Sequence, residues 1–397
     1  MPHLFTEKLD LIETPSQNNG VEFDFIAKSY NIAENRQTEY KISSKINNKE
    51  FLLNYRDKED KYLLKPDLVT RISPVGLLKN ALNAYVDSTK SKVLSSNTAN
   101  IKIRDAIQDI YLKDINYFVD EFKTDKEIQI EIGFGSGRHL IHQAKNNPDV
   151  QFIGLEIHTP SIEQLLKQLH LQNIENVLVV NYDARLFMEF IESNQVGKIF
   201  VHFPVPWDKK PHRRIYSNEF INEALRVLKI NGTLELRTDS RKYFDYCVEL
   251  LTNLPKGNIT IDINKDLEVS SKYEDRWKKM GKNIYDVVLT SFNEDLPKNI
   301  EKDFSFDKKL ENLDLFDTLP RKSMVFDGYF VHFVNTFKIL GEENSGLLEL
   351  TFGNFDRPVS KYILIKNGEI SYYQGNPIPT SSNLNAHKKI KELIYSW

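Results

Sequence analysis

Three glycines, Gly133, Gly135 and Gly137, alternate with other residues directly after the short apolar run IQIEI. Glycine tolerates positive φ and lets a ligand approach the main chain closely, so this spacing is typical of a nucleotide-binding turn between a strand and a helix. Glu156 follows Gly137 by 19 residues, at the end of the next apolar run. A carboxylate at about this separation can accept hydrogen bonds from both hydroxyls of a ribose. Together these features predict a ribose-containing ligand.

The position of the third glycine distinguishes between such ligands. Dinucleotide-binding loops read G-x-G-x-x-G, whereas here position 138 is arginine and the third glycine comes one residue early. A G-x-G-x-G loop suits a ligand with a ribose and an amino-acid tail but no pyrophosphate, and S-adenosylmethionine fits that description. Asp183, which ends the third apolar run, is placed to accept from the adenine amino group, and Glu131 is placed near the methionine amine. We expect these two acids, with Glu156 and Gly133, to bind the cofactor where open α/β sheets bind ligands, at the carboxyl ends of strands.

Each of these features also has a purely structural interpretation. The glycines can form only a turn, Glu156 can be a solvated strand end, and Asp183 can be the N-cap of the helix that begins ARLF. Their order on consecutive strands favours the binding interpretation. His139 and His142 lie three residues apart on the next helix and mimic a metal-binding pair. Because the sequence offers no evident third ligand, we interpret them as packing or surface histidines and expect no metal.

A second informative stretch is HFPVPWDKKPHRRIYS, residues 202–217. Two prolines and Trp207 predict a rigid loop that carries an aromatic ring at the carboxyl edge of the sheet. The potential cations in it are Lys209, Lys210, His212, Arg213 and Arg214. Basic groups attract phosphates and an aromatic ring can stack on a base, so the loop is interpreted as an RNA contact. The alternative is an exposed basic loop beside a packed tryptophan.

This loop resembles that of the bacterial tRNA (guanine-N7)-methyltransferases, which reads F-P-D-P-W followed by a lysine- and arginine-rich segment ending in R-R-I. The stretches IEIGFGSG, GLEIH, NYDA and LRTD match that family's other motifs in order, from about residue 125 to 295. The resemblance implies a class I S-adenosylmethionine-dependent methyltransferase fold, with one late reversed strand for which NIYDVVLT is the candidate. It also implies that Lys209 and Asp239 contact the tRNA substrate. Ser271 and Glu274 stand where the family has its T-x-x-E substrate motif.

The chain departs from the family pattern at Val205, which replaces the aspartate between the two prolines, and in its longer termini. Methyl transfer to guanine N7 does not require that acid, because N7 carries an in-plane lone pair and alignment of the reacting atoms supplies much of the acceleration. Asp239 can accept from the N1–H and the exocyclic amine of guanine, which would reject adenine; the alternative is a helix N-cap. A second basic group extends the RNA contact or forms a solvated helix face: Lys272, Arg276, Lys278, Lys279 and Lys282.

Composition limits these interpretations. The chain has 397 residues and a formal net charge of −3, so a nucleic-acid partner needs local basic patches. A single cysteine excludes an internal disulfide framework and a thiolate metal cluster. No apolar signal segment and no run of about 18 apolar residues occurs, which predicts a soluble cytoplasmic protein with no membrane contact.

Apolar runs alternate with amphipathic helices from about residue 126 to 295, which predicts an α/β fold with a parallel sheet covered on both faces. We expect three consecutive regions: an α+β N-terminal extension (1–120), a Rossmann-like methyltransferase domain (121–297) and a β-rich C-terminal extension (298–397).

Local signals add detail to these regions. Hairpins are predicted around residues 57–60 and at Asn367-Gly368, and a linker in the polar stretch 89–102. Helices are predicted from Thr159 with one apolar face, through NEFINEALRVLKING as far as Gly232, and from about Asn385 to the end.

The function predicted from the sequence is methyl transfer from S-adenosylmethionine to N7 of a guanine in tRNA, in the variable loop as in the family. The alternatives are a methyltransferase with a small-molecule acceptor and a non-catalytic RNA-binding protein on the same fold.

Overall fold

The structure is a computed structural model that describes residues 1–30, 37–99, 109–269, 272–299 and 301–396. The chain divides into two compact units. The terminal unit comprises Met1–Ala106 and Glu301–Trp397, and the central unit comprises Ile107–Ile300.

The strands, in chain order, are β1 (Leu4–Thr6), β2 (Ser16–Asn18), β3 (Val21–Tyr30), β4 (Glu39–Ile46), β5 (Lys49–Lys58), β6 (Lys61–Pro66), β7 (Val93–Ser96), β8 (Leu112–Lys113), β9 (Ile128–Ile132), β10 (Gln151–Leu155), β11 (Val177–Val180), β12 (Val196–His202), β13 (Leu228–Thr238), β14 (Asn258–Ile263), β15 (Tyr285–Thr290), β16 (Met324–Phe326), β17 (Tyr329–Ile339), β18 (Gly346–Gly353), β19 (Pro358–Lys366) and β20 (Glu369–Tyr372). The helices are α1 (Val75–Thr89), α2 (Ile115–Asp120), α3 (Arg138–Asn146), α4 (Thr159–Leu171), α5 (Ala184–Phe187), α6 (Asn218–Val227), α7 (Arg241–Thr252), α8 (Lys272–Lys279), α9 (Leu315–Thr318) and α10 (Ser381–Tyr395).

The central unit is built on one sheet with the strand order β14-β15-β13-β12-β9-β10-β11-β8. Strands β8 to β13 pair in parallel wherever they are neighbours, and β15 is antiparallel to both β13 and β14. The predicted α/β fold is therefore confirmed, and NIYDVVLT supplies the reversed strand β15. The strand order changes direction between β9 and β12, so the loops after these strands border the crevice where such sheets bind ligands.

The strands of this sheet read as apolar runs because both sheet faces are covered: every residue of β9 is buried. Helix α4 buries the predicted face of Ile162, Leu165, Leu166 and Leu169. The prediction for α6 was too long, because the helix ends at Val227 and Gly232 lies inside β13. An added Cβ at Gly232 would lie 2.9 Å from the backbone oxygens of Lys229 and Val196, so close packing of main chains, and not a helix end, requires glycine there.

The terminal unit is built on a second sheet, with the strand order β20-β19-β18-β17-β3-β4-β5-β6-β1-β7; β2 pairs with β3 and β16 with β17. The two chain ends meet where β3 pairs antiparallel with β17, for example at Tyr30 and Thr336. This arrangement differs from the expected three consecutive regions, because the segments before and after the central unit share one sheet. The physical reason is that β3 and β17 lie about 300 residues apart, so local periodicity predicts each strand but not their pairing.

Helices cover this sheet with separate apolar cores. Helix α1 packs its buried residues, including Leu78, Leu82 and Tyr85, against strands of the N-terminal half, and α10 packs Ile390 and Ile394 against β17 and β18. Both predicted hairpins are confirmed: Lys58 pairs with Lys61 across a two-residue turn, and Asn367 and Gly368 join β19 to β20 with positive φ.

Two other local predictions are corrected by the terminal unit. Within the predicted linker 89–102, residues Val93–Ser96 form the edge strand β7, which pairs with β1. The last helix starts at Ser381, four residues earlier than predicted, because Thr380 caps it by accepting from the amide of Asn383. In the described part of the chain, none of the helices combines the length and apolarity needed to cross a membrane.

Candidate functional site: the carboxyl edge of the central sheet

The glycine loop forms the turn from β9 into α3. Gly133, Gly135 and Gly137 all have positive φ, of 70°, 51° and 71°. An added Cβ at Gly133 would meet no heavy atom within 4 Å, so the main chain borders open space there. An added Cβ at Gly137 would lie 2.6 Å from Cδ1 of Leu165, so this glycine lets α3 and α4 pack closely. The loop combines an open backbone with tight packing beneath it, as a ligand cradle requires.

Glu156 connects the end of β10 to this loop. Its Oε2 accepts from the amide of Gly135 at 3.1 Å, and its Oε1 accepts from the amides of Ile157 and His158 at 2.8 and 3.0 Å. The side chain is therefore fixed by three backbone donors and is not a freely solvated strand end. An ionised carboxylate has about four acceptor positions, so it keeps acceptor capacity for a ligand hydroxyl.

Asp183 follows β11 and caps the short helix α5. Its Oδ1 accepts from the amide of Arg185 at 3.1 Å, and its Oδ2 lies 2.9 Å from Nη2 of the same arginine. The structure thus contains the helix cap that was the alternative to cofactor binding. The cap and the guanidinium of Arg185, whose Nε also donates to Oδ1 at 3.2 Å, together hold this carboxylate near the end of β11.

Glu131 lies on β9 with 4% exposure and faces α3. Its Oε2 accepts from Nδ1 of His139 at 2.9 Å. Burial lowers the pKa of His139, but the charge of Glu131 and this hydrogen bond raise it, and the net pKa lies above the ordinary histidine value. The ring of His202 packs 4.6 Å from that of His139, and burial, with the neighbouring His139 and Arg237, holds the pKa of His202 well below its usual range.

The histidine pair considered from sequence does not form a shared site. His139 binds Glu131, whereas His142 lies 3.3 Å from Glu268. The donor atoms of Glu131, His139 and His202 do lie within 4.8 Å of one another, which is the spacing that metal sites need. We assign no metal to them, because the hydrogen bond between His139 and Glu131 already uses those two groups.

Two cavities border α3. One of about 270 Å³ is lined by sheet residues that include Phe200, His202 and Glu235 together with His139. The other, of about 420 Å³, is lined by Ser136, Arg138 and polar residues of α3 and α4. The three acids expected at the cofactor line neither cavity, so these cavities are distinct from the strand-end edge described above.

The loop after β12 carries the predicted aromatic and basic groups. Trp207 has φ of 46°, a left-handed conformation that only a fixed loop sustains for this residue type. The guanidinium of Arg213 lies 5.1 Å from the centroid of its ring. Arg214 serves the loop itself: its Nε donates to the carbonyl of Pro206 at 2.9 Å and its guanidinium lies over Tyr246. The exposed cations left for an RNA partner are Lys209, Lys210, His212 and Arg213, and Val205 is 60% exposed beside them.

Asp239 follows β13, at the edge next to this loop. Its Oδ2 lies 2.7 Å from Nζ of Lys282, and that ammonium also lies 3.8 Å from the ring centroid of Trp277. The N-cap of α7 is Ser240, whose hydroxyl accepts from the amide of Tyr243. The helix-cap interpretation of Asp239 is therefore wrong, and its carboxylate is held by Lys282.

A buried charged cluster was not predicted from the sequence. Arg237 is 1% exposed; its Nη1 donates to both oxygens of Asp286 at 2.6 and 2.7 Å, and its Nη2 donates to Glu274 at 2.8 Å. Glu274, which the resemblance placed in a substrate motif, is also 1% exposed and lies 3.1 Å from Lys278. It therefore anchors α8 to β13 and β15, while Ser271, its partner in that motif, lies outside the described residues. The available signal was Arg237 within the strand LELRT and Asp286 within the strand YDVVLT, charged residues in largely apolar runs.

The structure thus groups the expected site residues by strand. Among the cofactor candidates, Glu131 lies near the end of β9, and Gly133, Glu156 and Asp183 follow the neighbouring strands β9, β10 and β11. Gly135 and Glu156 are in direct contact. The substrate candidates follow β12 and β13. Both groups therefore lie at the carboxyl ends of parallel strands, on the two sides of the point where the strand order changes direction.

Comparison with known proteins gives matches over the whole chain. The profile of a family described as "Putative methyltransferase" matches residues 125–287. A protein of Wolinella succinogenes named tRNA (guanine-N(7)-)-methyltransferase is 41% identical over 99% of this chain and 100% of its own length. Proteins of the same name from Campylobacter fetus subsp. fetus and Helicobacter hepaticus are 38% and 39% identical over 99% of each chain. The similarity therefore extends beyond the motif-bearing segment and includes the terminal unit.

Two solved structures are similar to part of this chain. An rRNA methylase from Streptococcus thermophilus has 13% sequence identity and a TM-score of 0.32, covering 45% of this chain and 94% of that one. A 30S ribosomal A1408 methyltransferase from an uncultured bacterium has 16% identity and a TM-score of 0.32, covering 49% and 97%.

Proposed function

The chain belongs to the tRNA (guanine-N(7)-)-methyltransferase family, and from this premise we propose that it transfers a methyl group from S-adenosylmethionine to N7 of a guanine in tRNA. The observation that carries the proposal is the 41% identity to a protein of that name over 99% of this chain and 100% of that protein. The acceptor guanine is expected in the variable loop, as the resemblance implies. Because tRNA is its substrate, we expect the protein to act in the cytoplasm.

The strand-end residues fit S-adenosylmethionine in both shape and charge. The open space beside Gly133 leaves backbone amides accessible to an amino-acid tail. Glu156 is fixed by three amides and keeps an acceptor position for a ribose hydroxyl. Asp183 supplies an acceptor for the adenine amino group, and Glu131 a negative charge for the methionine ammonium. These assignments give each polar group of the cofactor a partner of complementary character.

When bound, the sulfonium supplies an activated methyl group, and N7 of guanine accepts it through an in-plane lone pair without losing a proton. The protein therefore needs no general base, and its contribution is to align the two reactants. This is why Val205, which lies where the family has an acid, is compatible with the reaction.

Recognition of guanine is assigned to Asp239 and the loop after β12. The Asp239 carboxylate can accept from N1–H and the exocyclic amine, and adenine lacks this pair of donors. Lys282 donates to Oδ2 of this carboxylate at 2.7 Å, so guanine binds at its other acceptor positions or takes the place of the ammonium. Lys209 is exposed on the adjoining loop and is assigned to a phosphate or a base edge of the tRNA.

The second basic group contributes less to RNA binding than its composition indicates. Lys278 lies 2.9 Å from Asp266 and 3.1 Å from Glu274, and Lys282 is paired with Asp239. These contacts neutralise two of its cations, so we assign the main phosphate contacts to the loop after β12.

The test is methyl transfer from labelled S-adenosylmethionine into an unmodified tRNA transcript by the full chain, followed by nucleoside analysis. The expected product is 7-methylguanosine, and a transcript with adenine at the variable-loop position should remain unlabelled. Label at another atom, label in a small molecule only, or binding of tRNA without transfer would each contradict the proposal.

A further inference from the structure

Glu131 does not face the cofactor edge as an isolated charge. It is buried, and its Oε2 accepts from Nδ1 of His139, the second residue of α3. The histidine follows directly on the glycine loop, so one turn of chain contains both the open backbone and the group that orients the acid. The acid's position therefore depends on where this imidazole is held.

The imidazole of His139 is fixed on its other sides. Phe200 packs 4.8 Å from it in an edge-on arrangement, and His202 packs 4.6 Å away. Its Nε2 lies 3.3 Å from the side-chain amide of Gln143 one turn later. A carboxamide can present either its N–H or its oxygen after a flip, so Gln143 can satisfy both the neutral and the protonated imidazole.

Charged and titratable groups reach His139 from each element around it. They are Glu131 on β9, Lys198 and His202 on β12, Glu235 on β13, Asp286 on β15, His142 on α3 itself, and Lys265 and Glu268 in the segment between β14 and α8. Burial lowers the pKa of His139, but Glu131, by its charge and its hydrogen bond, and Glu235 together raise it above the ordinary value.

Protonation of His139 therefore controls how much charge Glu131 offers to a ligand. An imidazolium beside the carboxylate makes a neutral pair, whereas a neutral imidazole with its proton on Nδ1 keeps the hydrogen bond and leaves the full negative charge. The ammonium of an amino-acid tail needs that charge. The imidazolium of His139 and the ammonium of the ligand thus compete for the carboxylate of Glu131.

We propose that His139 is a positioning residue for Glu131 and that cofactor binding expels a proton from it. The proton leaves Nε2 for the solvent, the Nδ1–H continues to orient Glu131, and the cofactor ammonium replaces the lost positive charge. This inference rests on the proposed function, since it takes Glu131 as the partner of the cofactor ammonium. The direction follows from the competition: affinity should be weakest below the pKa of His139 in the free protein and should rise as pH increases through it.

The experiment is isothermal titration of the full chain with S-adenosylhomocysteine, which carries the same ammonium. Titrations at one pH near neutrality, in buffers of different ionisation enthalpy, give the number of protons released from the dependence of the measured heat on the buffer. A pH series then gives the affinity change, about tenfold for each unit by which binding lowers the pKa of His139.

Two variants separate this role from simple packing. His139→Gln keeps a donor for Glu131 but cannot titrate, so it should bind without proton release and with an affinity that changes little with pH. His142→Gln removes a histidine from the same helix that contacts Glu268 and not Glu131, so it should release protons as the wild type does.

The outcomes are distinguishable. Binding without proton release by the wild type overturns the inference, and this holds even when the His139→Gln protein does not fold. Equal proton release by wild type and a folded His139→Gln protein also overturns it. Absence of binding at every pH would instead contradict the proposed function itself.

Discussion

Replacing Arg237 with methionine should uncouple tRNA methylation from cofactor binding. Arg237 joins β13 to Asp286 on β15 and to Glu274 on α8, and all three side chains are buried or nearly so. Methionine retains the apolar stem and removes the charge. Helix α8 would lose its anchor, and with it the placement of Trp277 and Lys282 beside Asp239.

The loss of unfolding free energy in Arg237→Met is set by the buried carboxylates that lose their partner. Removing one partner of a buried ion pair costs about 3–5 kcal/mol, because the remaining charge keeps its desolvation penalty. Glu274 retains Lys278 at 3.1 Å, whereas Asp286 loses both of its short contacts to Nη1. With a urea dependence of about 2 kcal/mol per M, the unfolding midpoint should fall by about 2 M.

The loss of stability should depend on pH with a definite sign. Burial raises the pKa of Asp286, although the charge and hydrogen bonds of Arg237 oppose that rise. Without Arg237 only the charge of Lys265 still opposes the rise, so the carboxyl titrates at a still higher pH in the folded variant. A carboxyl whose pKa is higher in the folded state destabilises the protein at pH values where it must be ionised. The loss of unfolding free energy in Arg237→Met relative to wild type should therefore be full near pH 8 and smaller near pH 5.

The assay uses urea unfolding followed by tryptophan fluorescence, since Trp207 and Trp277 both lie in the central unit. S-adenosylhomocysteine affinity should stay within about twofold, while kcat/KM for tRNA should fall about tenfold or more, or 1.4 kcal/mol. Lys278→Met, which removes the half-exposed partner of Glu274, is the matched control and should unfold close to wild type. An unchanged midpoint for Arg237→Met, or a deficit equal at both pH values, would refute the reasoning.

Four further predictions concern the ligand edge. Glu156→Gln should weaken S-adenosylhomocysteine binding about tenfold or more by calorimetry, because an amide cannot accept from all three amides that hold this side chain; unchanged affinity would remove Glu156 from the site. Asp239→Asn should reduce guanine methylation far more than cofactor binding, and equal losses in the two assays would count against its role in recognition. Val205→Asp should change the rate and leave 7-methylguanosine as the product, so a different nucleoside by mass analysis would contradict the mechanism. Affinity for tRNA should fall steeply with salt, and Arg213→Gln should reduce the slope of log K against log salt by about 1, whereas a slope unaffected by this variant would place the phosphates elsewhere.

The central sheet was predictable because its information is local. Each of the parallel strands β9 to β13 is a short apolar run bounded by polar or glycine-rich turns, and α4 shows its buried face at helical spacing. The two-residue strand β8 and the largely exposed strand β14 carry no such signal and were not predicted. The glycine loop was predictable for the same reason, since its three positive φ values demand the residue that the sequence shows. The end of α6 was not, because the apolar spacing continues past Val227 into a strand and Gly232 has the appearance of a helix stop.

What escaped prediction depends on contacts between distant residues. The pairing of Tyr30 with Thr336, which makes one unit of the two chain ends, leaves no trace in the local periodicity of either strand. The buried cluster of Arg237, Glu274 and Asp286 joins three elements, and each residue alone reads as a surface charge. Glu274 therefore matched a substrate motif by position, although its side chain is used inside the fold.

The acids expected to meet ligands have one property in common: each has a hydrogen-bond partner within the protein. His139 holds Glu131, backbone amides hold Glu156, Arg185 holds Asp183, and Lys282 holds Asp239. A buried or half-buried carboxylate without a partner would be costly, so these contacts stabilise the fold while they fix the geometry of the site. Binding here therefore adds a ligand to a carboxylate that is already held, or exchanges one partner for another. If guanine takes the place of Lys282 at Asp239, the base gains only the difference between two interactions, and a base with fewer donors than guanine gains less.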